Sequence, residues 1–237
     1  MAPTISASGK VPDWDEDSPT LRINLRAVDA MLRVRASSRT LPSFEDARDW
    51  HKSMMRGLDP GMDPVVVGGF RGEPGMETIG VRVGALHGTK PWLVGFELQT
   101  FEDQLQAKLR RLDTKYPTAS LLDGPGCGRV IDVAAWAHSE WVRIHPFANG
   151  NGRTARMWAN LVLLCYGMPP VLQYRPRPSG AEYAAAGAAG MQGNDIPARA
   201  FIRRLVEEEL KGKKAAAKKA APAKTAATKT AAGKKTK

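Results

Sequence analysis

Cysteine is scarce in this chain: only Cys127 and Cys165 occur among 237 residues. Two thiols cannot build a disulfide framework or a four-thiolate zinc site, so neither device holds the fold. Cys165 sits in the apolar stretch 161–166 and reads as a small buried hydrophobe. Long apolar runs are missing as well. Nothing approaches the roughly 18 residues that span a bilayer, and residues 1–10 lack the apolar core of a secretory signal. The expectation is a reduced, cytoplasmic protein with no membrane contact. Acidic residues are absent after Leu210, where ten lysines fall. Setting those ten aside leaves 25 basic residues against 24 acidic ones, so the net charge of +11 belongs to the C-terminal tail. The body of the protein is close to neutral, and no internal repeat interrupts it.

What is present is an ordinary globular composition, 43% hydrophobic and 25% charged. Residues 1–19, rich in Pro, Ser, Asp and Gly, read as a loose arm. From Thr20, the helical spacing of Leu21, Leu25, Val28 and Leu32 predicts a first amphipathic helix. Ser43 opens a second, with Asp46 in the place where a capping box usually carries Glu, ending near Arg56. Residues 65–99 hold three β-branched or aromatic runs (65–67, 78–83 and 92–98) broken by Gly and Pro, which predict a short hairpin or flap. Thr100 then reads as the cap of a helix with Phe101, Leu105, Leu109 and Leu112 as its stripe, and residues 124–128 as a turn. Helices follow over 131–144, from about Gly152 to a stop at Gly167 and Pro169, and from Asp195 onward. Residues 211–237 carry almost only Ala, Lys, Thr, Gly and Pro, so nothing there can offset ordering entropy and the tail reads as disordered. The predicted class is mainly all-α: a helical bundle over 20–210 with a small β-hairpin flap.

The chemistry concentrates in the loop His145-Pro-Phe-Ala-Asn-Gly-Asn-Gly-Arg-Thr-Ala-Arg156. Glycines at 150 and 152 let backbone approach a ligand closely, at the head of an apolar helix. The first-turn amides of that helix point outward with the positive end of the macrodipole behind them, which makes an anion site. Arg153 and Arg156 lie one turn apart and can share a face, and their planar forks suit phosphate. His145, just ahead, is the nearby group able to take a proton from a hydroxyl. The residues alone also admit a plainer account, a Gly-rich turn with a core histidine and two arginines paired to carboxylates elsewhere.

The whole string resembles the signature of the Fic family, H-P-F-x-[D/E]-G-N-G-R-x-x-R. The match holds at His145, Pro146, Phe147, Gly150, Asn151, Gly152, Arg153 and Arg156. The region from Phe70 and Arg71 to Phe96 looks like the family's target-docking flap. The resemblance implies transfer of AMP from ATP to a Tyr, Thr or Ser hydroxyl of a target protein. It implies His145 as the general base, and Gly150, Asn151 and Gly152 around the α- and β-phosphates. Arg153 and Arg156 would then hold the β- and γ-phosphates. The departure is Asn149, where the family has an acidic residue holding Mg²⁺; a neutral amide oxygen is a weaker ligand for the ion. The alternative is a catalytically weakened Fic fold that binds nucleotide or a partner, tethered to nucleic acid by its tail. No residue four before any Glu is Ser or Thr, so the family's inhibitory motif is not recognisable. A separate antitoxin-like inhibitor is one expectation that follows.

The remaining features have blander readings. His138 reads as a core or supporting residue. His51 and His87 have no evident company, with His87 exposed in a turn. Trp92, Trp136, Trp141 and Trp158 read as core, with Trp92 near the flap. Tyr174 and Tyr183 are candidates to flank a nucleotide base. The lysines of 211–237 could bind nucleic acid without sequence preference.

Overall fold

The computed structural model of the protein describes residues 17–58 and 63–220. Residues 1–16 of the expected arm and 221–237 of the expected tail lie outside the described residues. The described chain folds into seven α-helices and one two-stranded hairpin, the mainly-α class that the sequence predicts. Helix α1 (Pro19–Ser38) starts at Ser18, whose side chain accepts the Leu21 N–H, and it buries Leu21, Leu25, Val28, Leu32 and Ala36. Helix α2 (Phe44–Met55) carries the expected capping box. The Ser43 side chain caps the first turn while Asp46 accepts the Ser43 N–H at 2.9 Å.

The flap region departs from expectation. Only Arg82–Val83 (β1) and Leu86–His87 (β2) pair as strands, antiparallel, and Pro64–Val66 forms a short 3-10 turn. Residues 92–98 are not a strand. Helix α3 runs from Pro91 to Lys115, nine residues ahead of the predicted cap at Thr100. Pro91 suits a helix start because its missing N–H is not needed there. Val94, Leu98, Phe101, Leu105, Leu109 and Leu112 then form one buried stripe at helical spacing. Trp92 falls off that stripe and is 70% exposed, so it is not core.

Helix α4 (Gly124–Ile144) likewise begins earlier than expected. The presumed turn is its first turn, capped by Asp123 accepting the Gly126 N–H at 2.6 Å. Helix α5 (Asn151–Cys165) is buried nearly all round, and Gly167 follows it with a positive φ of 71°. Helix α6 (Ala181–Gly190) has no counterpart among the expectations, because an alanine-rich stretch shows little apolar periodicity. Helix α7 runs from Ile196 to Ala220, ten residues past the predicted boundary of order at Leu210. Its buried Ala198, Phe201, Ile202 and Val206 nucleate it, and Ala and Lys are strong enough helix formers to extend it.

Helix α4 lies centrally against α3, α5, α6 and α7, while α1 packs on α2 and α5. An aromatic cluster joins these layers: Trp158 lies 4.7 Å from Trp50, 5.2 Å from Phe101 and 5.5 Å from Trp141. Burying each such ring contributes about 2–3 kcal/mol. Trp141 also meets Phe147 at 6.0 Å, so the cluster anchors the α4–α5 loop directly on the core.

Candidate active site

Helix α4 stops because His145 turns left-handed (φ 54°, ψ 56°), its N–H capping the Trp141 carbonyl at 2.9 Å. Pro146 then cannot continue a helix. A left-handed histidine costs roughly 1–2 kcal/mol, so the surroundings must hold it there. They do so from both sides. Phe147 is buried, stacked on His51 at 4.0 Å and set 4.9 Å from Phe70. Asn151 closes the loop twice: its Oδ1 accepts the Phe147 N–H at 2.8 Å and its Nδ2 donates to the Phe147 carbonyl at 2.7 Å. Gly150 has φ 81° and touches Met55 and His51 so closely that a Cβ would lie 2.7 Å from the Met55 methyl. A side chain there would be strained by the positive φ and would have to displace Met55.

The imidazole of His145 is partly buried, and its Nδ1 bonds the Val142 carbonyl at 2.8 Å. A carbonyl only accepts, which assigns the proton to Nδ1 and leaves the lone pair on Nε2. Burial first, and the charge of Arg71 second, lower the pKa of His145 to about 4. The ring is therefore neutral across the physiological range.

Helix α5 starts at the loop's far end, with the N–H groups of Arg153 and Thr154 both bonded to the Gly150 carbonyl. Helix geometry leaves the amides of Asn151 and Gly152 without an intrahelical acceptor, at the positive end of the dipole. Arg153 and Arg156 are each 4% exposed. Arg156 donates from Nη1 to the Tyr183 hydroxyl (2.8 Å) and from Nη2 to the Tyr174 carbonyl (3.0 Å), while its Nε has no partner. It meets no carboxylate among the described residues. The Tyr183 hydroxyl in turn lies 3.2 Å from His138 Nε2, and burial lowers the His138 pKa to about 3. His138 thus supports Arg156 through Tyr183, in line with the supporting role expected of it. Asn149 Oδ1 accepts the Gly150 N–H. An amide oxygen has a second lone pair, so the side chain fits a hard cation as one weak ligand. Among the described residues no group of three His, Cys, Asp or Glu could hold a metal ion.

Two residues here escaped sequence reasoning. His51, read as having no company, is fully buried against the loop. Its Nδ1 accepts the Gly68 N–H and its Nε2 donates to the Asn149 carbonyl, each at 3.0 Å. Arg71, noted only as part of the flap, has Nε 2.7 Å from the His145 carbonyl and Nη2 2.9 Å from that of Ile144. The spacing of His51 from the motif carries no local signal of either contact. The hairpin itself abuts the loop: Thr89 N–H bonds the Ile144 carbonyl at 3.2 Å, and Gly88 packs on the His145 side chain.

The loop sets a neutral histidine beside a helix head with a buried arginine that meets no carboxylate among the described residues, and the Fic/DOC family model covers residues 42–163. The chain belongs to the Fic/DOC family. The Drosophila erecta protein adenylyltransferase Fic is 28% identical over 198 residues, 83% of this chain and 34% of the relative. The Nematostella vectensis protein adenylyltransferase Fic is 42% identical over 74 residues, 31% of this chain and 16% of the relative. The chain therefore spans about a third or less of those relatives. Among solved structures, residues 134–508 of Caenorhabditis elegans Fic-1 match with a TM-score of 0.60 at 24% identity. That match covers 91% of this chain and 57% of the other, and it shows the fold. No helix among the described residues is long and apolar enough to cross a membrane.

Proposed function

We propose that this Fic domain transfers AMP from ATP to a Tyr, Thr or Ser hydroxyl of a target protein. The observation that carries the reading is His145, held neutral with Nδ1 tied to Val142 and Nε2 without a hydrogen-bond partner among the described residues, beside the α5 head. Nε2 takes the hydroxyl proton, the hydroxyl oxygen bonds to the α-phosphorus, and the bond to the bridging oxygen breaks, releasing pyrophosphate. The amides of the Gly150–Asn151–Gly152 turn and the guanidinium groups of Arg153 and Arg156 carry the phosphate charge. Mg²⁺, held by Asn149 and by the nucleotide's own oxygens, would supply further charge neutralisation. That the curated relatives are named protein adenylyltransferases supports the same chemistry.

A second reading has its own observation. With Asn149 neutral and its Oδ1 engaged by Gly150, metal binding is weak enough to leave a nucleotide binder that transfers slowly or not at all. Incubation of the full chain with Mg²⁺, a cell lysate and labelled ATP, GTP, UTP or CTP tests both. The first reading expects label on a lysate protein or on the chain itself, lost in His145→Ala and kept after truncation at Leu210. The second expects silence that Asn149→Asp relieves. An inhibitor presenting a Glu to Arg156, and nucleic-acid tethering through lysines of 211–237, are parts of the proposal that co-purification and a salt-dependent DNA pull-down address.

A further inference from the structure

We propose that Arg71 is a positioning residue for His145, tying three successive carbonyls of the motif loop so that the imidazole is presented in one orientation. The proposal rests on the reading of His145 as the base. Arg71 is 1% exposed, and every one of its bonds goes to backbone oxygen. Its Nη2 holds Ile144, its Nε holds His145, and its own backbone N–H holds Pro146 at 2.8 Å. Nη1 reaches back to the Ile79 carbonyl at 3.2 Å, which binds the flap segment into the same arrangement. Several partly buried arginines pair with acids: Arg35 with Asp46, Arg48 with Glu73 and Arg143 with Glu140. Arg71 has none, and burial alone lowers its pKa to about 10.

The placement has a reason. The last carbonyls of α4 have no intrahelical donor and carry the negative end of its dipole, so a cation there is favoured without a carboxylate. A fork with several fixed donors can satisfy adjacent carbonyls at once, which the single ammonium of a lysine cannot do. The left-handed turn at His145 swings Ile144, His145 and Pro146 oxygens toward the flap, where Arg71 gathers them. Without that clasp the turn relaxes, the Nδ1 bond to Val142 loosens, and Nε2 no longer keeps one direction.

The test compares Arg71→Met and Arg71→Lys with the native chain. Long-range proton–nitrogen NMR of the imidazole is expected to show a single Nδ1–H tautomer for native His145 and a mixture in Arg71→Met. Transfer by Arg71→Met is expected to lose kcat by about 100-fold, the cost of misplacing a catalytic group by an ångström, with KM for the nucleotide little changed. Arg71→Lys recovers part of that loss. A native-like single tautomer in a folded Arg71→Met overturns the proposal, as does an equal loss of nucleotide affinity and kcat. Failure of both variants to fold also overturns it, since Arg71 would then serve stability and not orientation. If the native chain transfers no nucleotide, the proposed function falls, while the imidazole spectrum still decides the role of Arg71.

Discussion

Arg156 shows how a single residue carries the functional argument. Arg143 finds carboxylates in Glu97 and Glu140. Arg156 is more deeply buried, 4% exposed, yet is held by a tyrosine hydroxyl and a carbonyl, with Nε unpartnered. A buried charge with neutral partners is costly to the free protein and is recovered when an anion arrives. Replacing it by methionine, of similar reach, removes two hydrogen bonds but also that uncompensated charge. The free Arg156→Met protein is therefore expected to lose no more than about 1 kcal/mol of stability. ATP is expected to raise the Tm of the native chain, and that rise should be lost in Arg156→Met. Thermal melts with and without ATP check both; an apo loss of about 3 kcal/mol or more, the cost of breaking a buried pair, would mark Arg156 as structural.

Elements bring the site's parts together, and the hairpin is the one set against His145. A Cβ added at Gly88 would lie 2.8 Å from the His145 Cβ and 3.2 Å from Arg71 Nη2. Gly88→Ala must push the flap off the loop, and such overpacking costs typically 1–3 kcal/mol. Urea denaturation should register that loss, with transfer reduced alongside it. Gly95→Ala is the control, since nothing lies within 4 Å of its built Cβ on exposed α3, and a glycine replaced there gains about 0.5–1 kcal/mol. The motif loop was legible in advance because its residues are contiguous: His145, Gly150 and Arg156 announce a helix head whatever surrounds them. His51 and Arg71 were not, because their contacts cross 98 and 74 positions of the chain. Residues 92–98 misled for another reason. Their β-branched and aromatic side chains favour strands locally, and only the continuation of the Val94–Leu98 spacing into Phe101 reveals the helix. Helix α6 was invisible because alanine serves core and surface alike, so Tyr183, its link to Arg156, stood without a frame.

At the scale of the whole molecule, the fold favours the uncharged form of three of the four histidines. Burial is the leading cause in each, lowering His51 and His138 to about 3 and His145 to about 4. In the unfolded chain they titrate near 6.5. The sign follows directly. Above pH 6.5 neither state holds these protons, and the full stability is present. As pH falls, the unfolded chain takes up three protons that the native one refuses until its own lower pKa values are reached. Stability therefore drops by about 4 kcal/mol per pH unit between roughly pH 6 and 4. A domain of ordinary stability has only about 5–15 kcal/mol in total, so this one should unfold in mild acid, before most carboxylates protonate. Urea unfolding at pH 7, 6 and 5 measures the slope, and His138→Gln should reduce it by about a third while leaving its sign unchanged. Stability that stays level from pH 7 to 5 would mean the three rings are wet and charged. The loop would then not hold His145 neutral, as its proposed role as base requires.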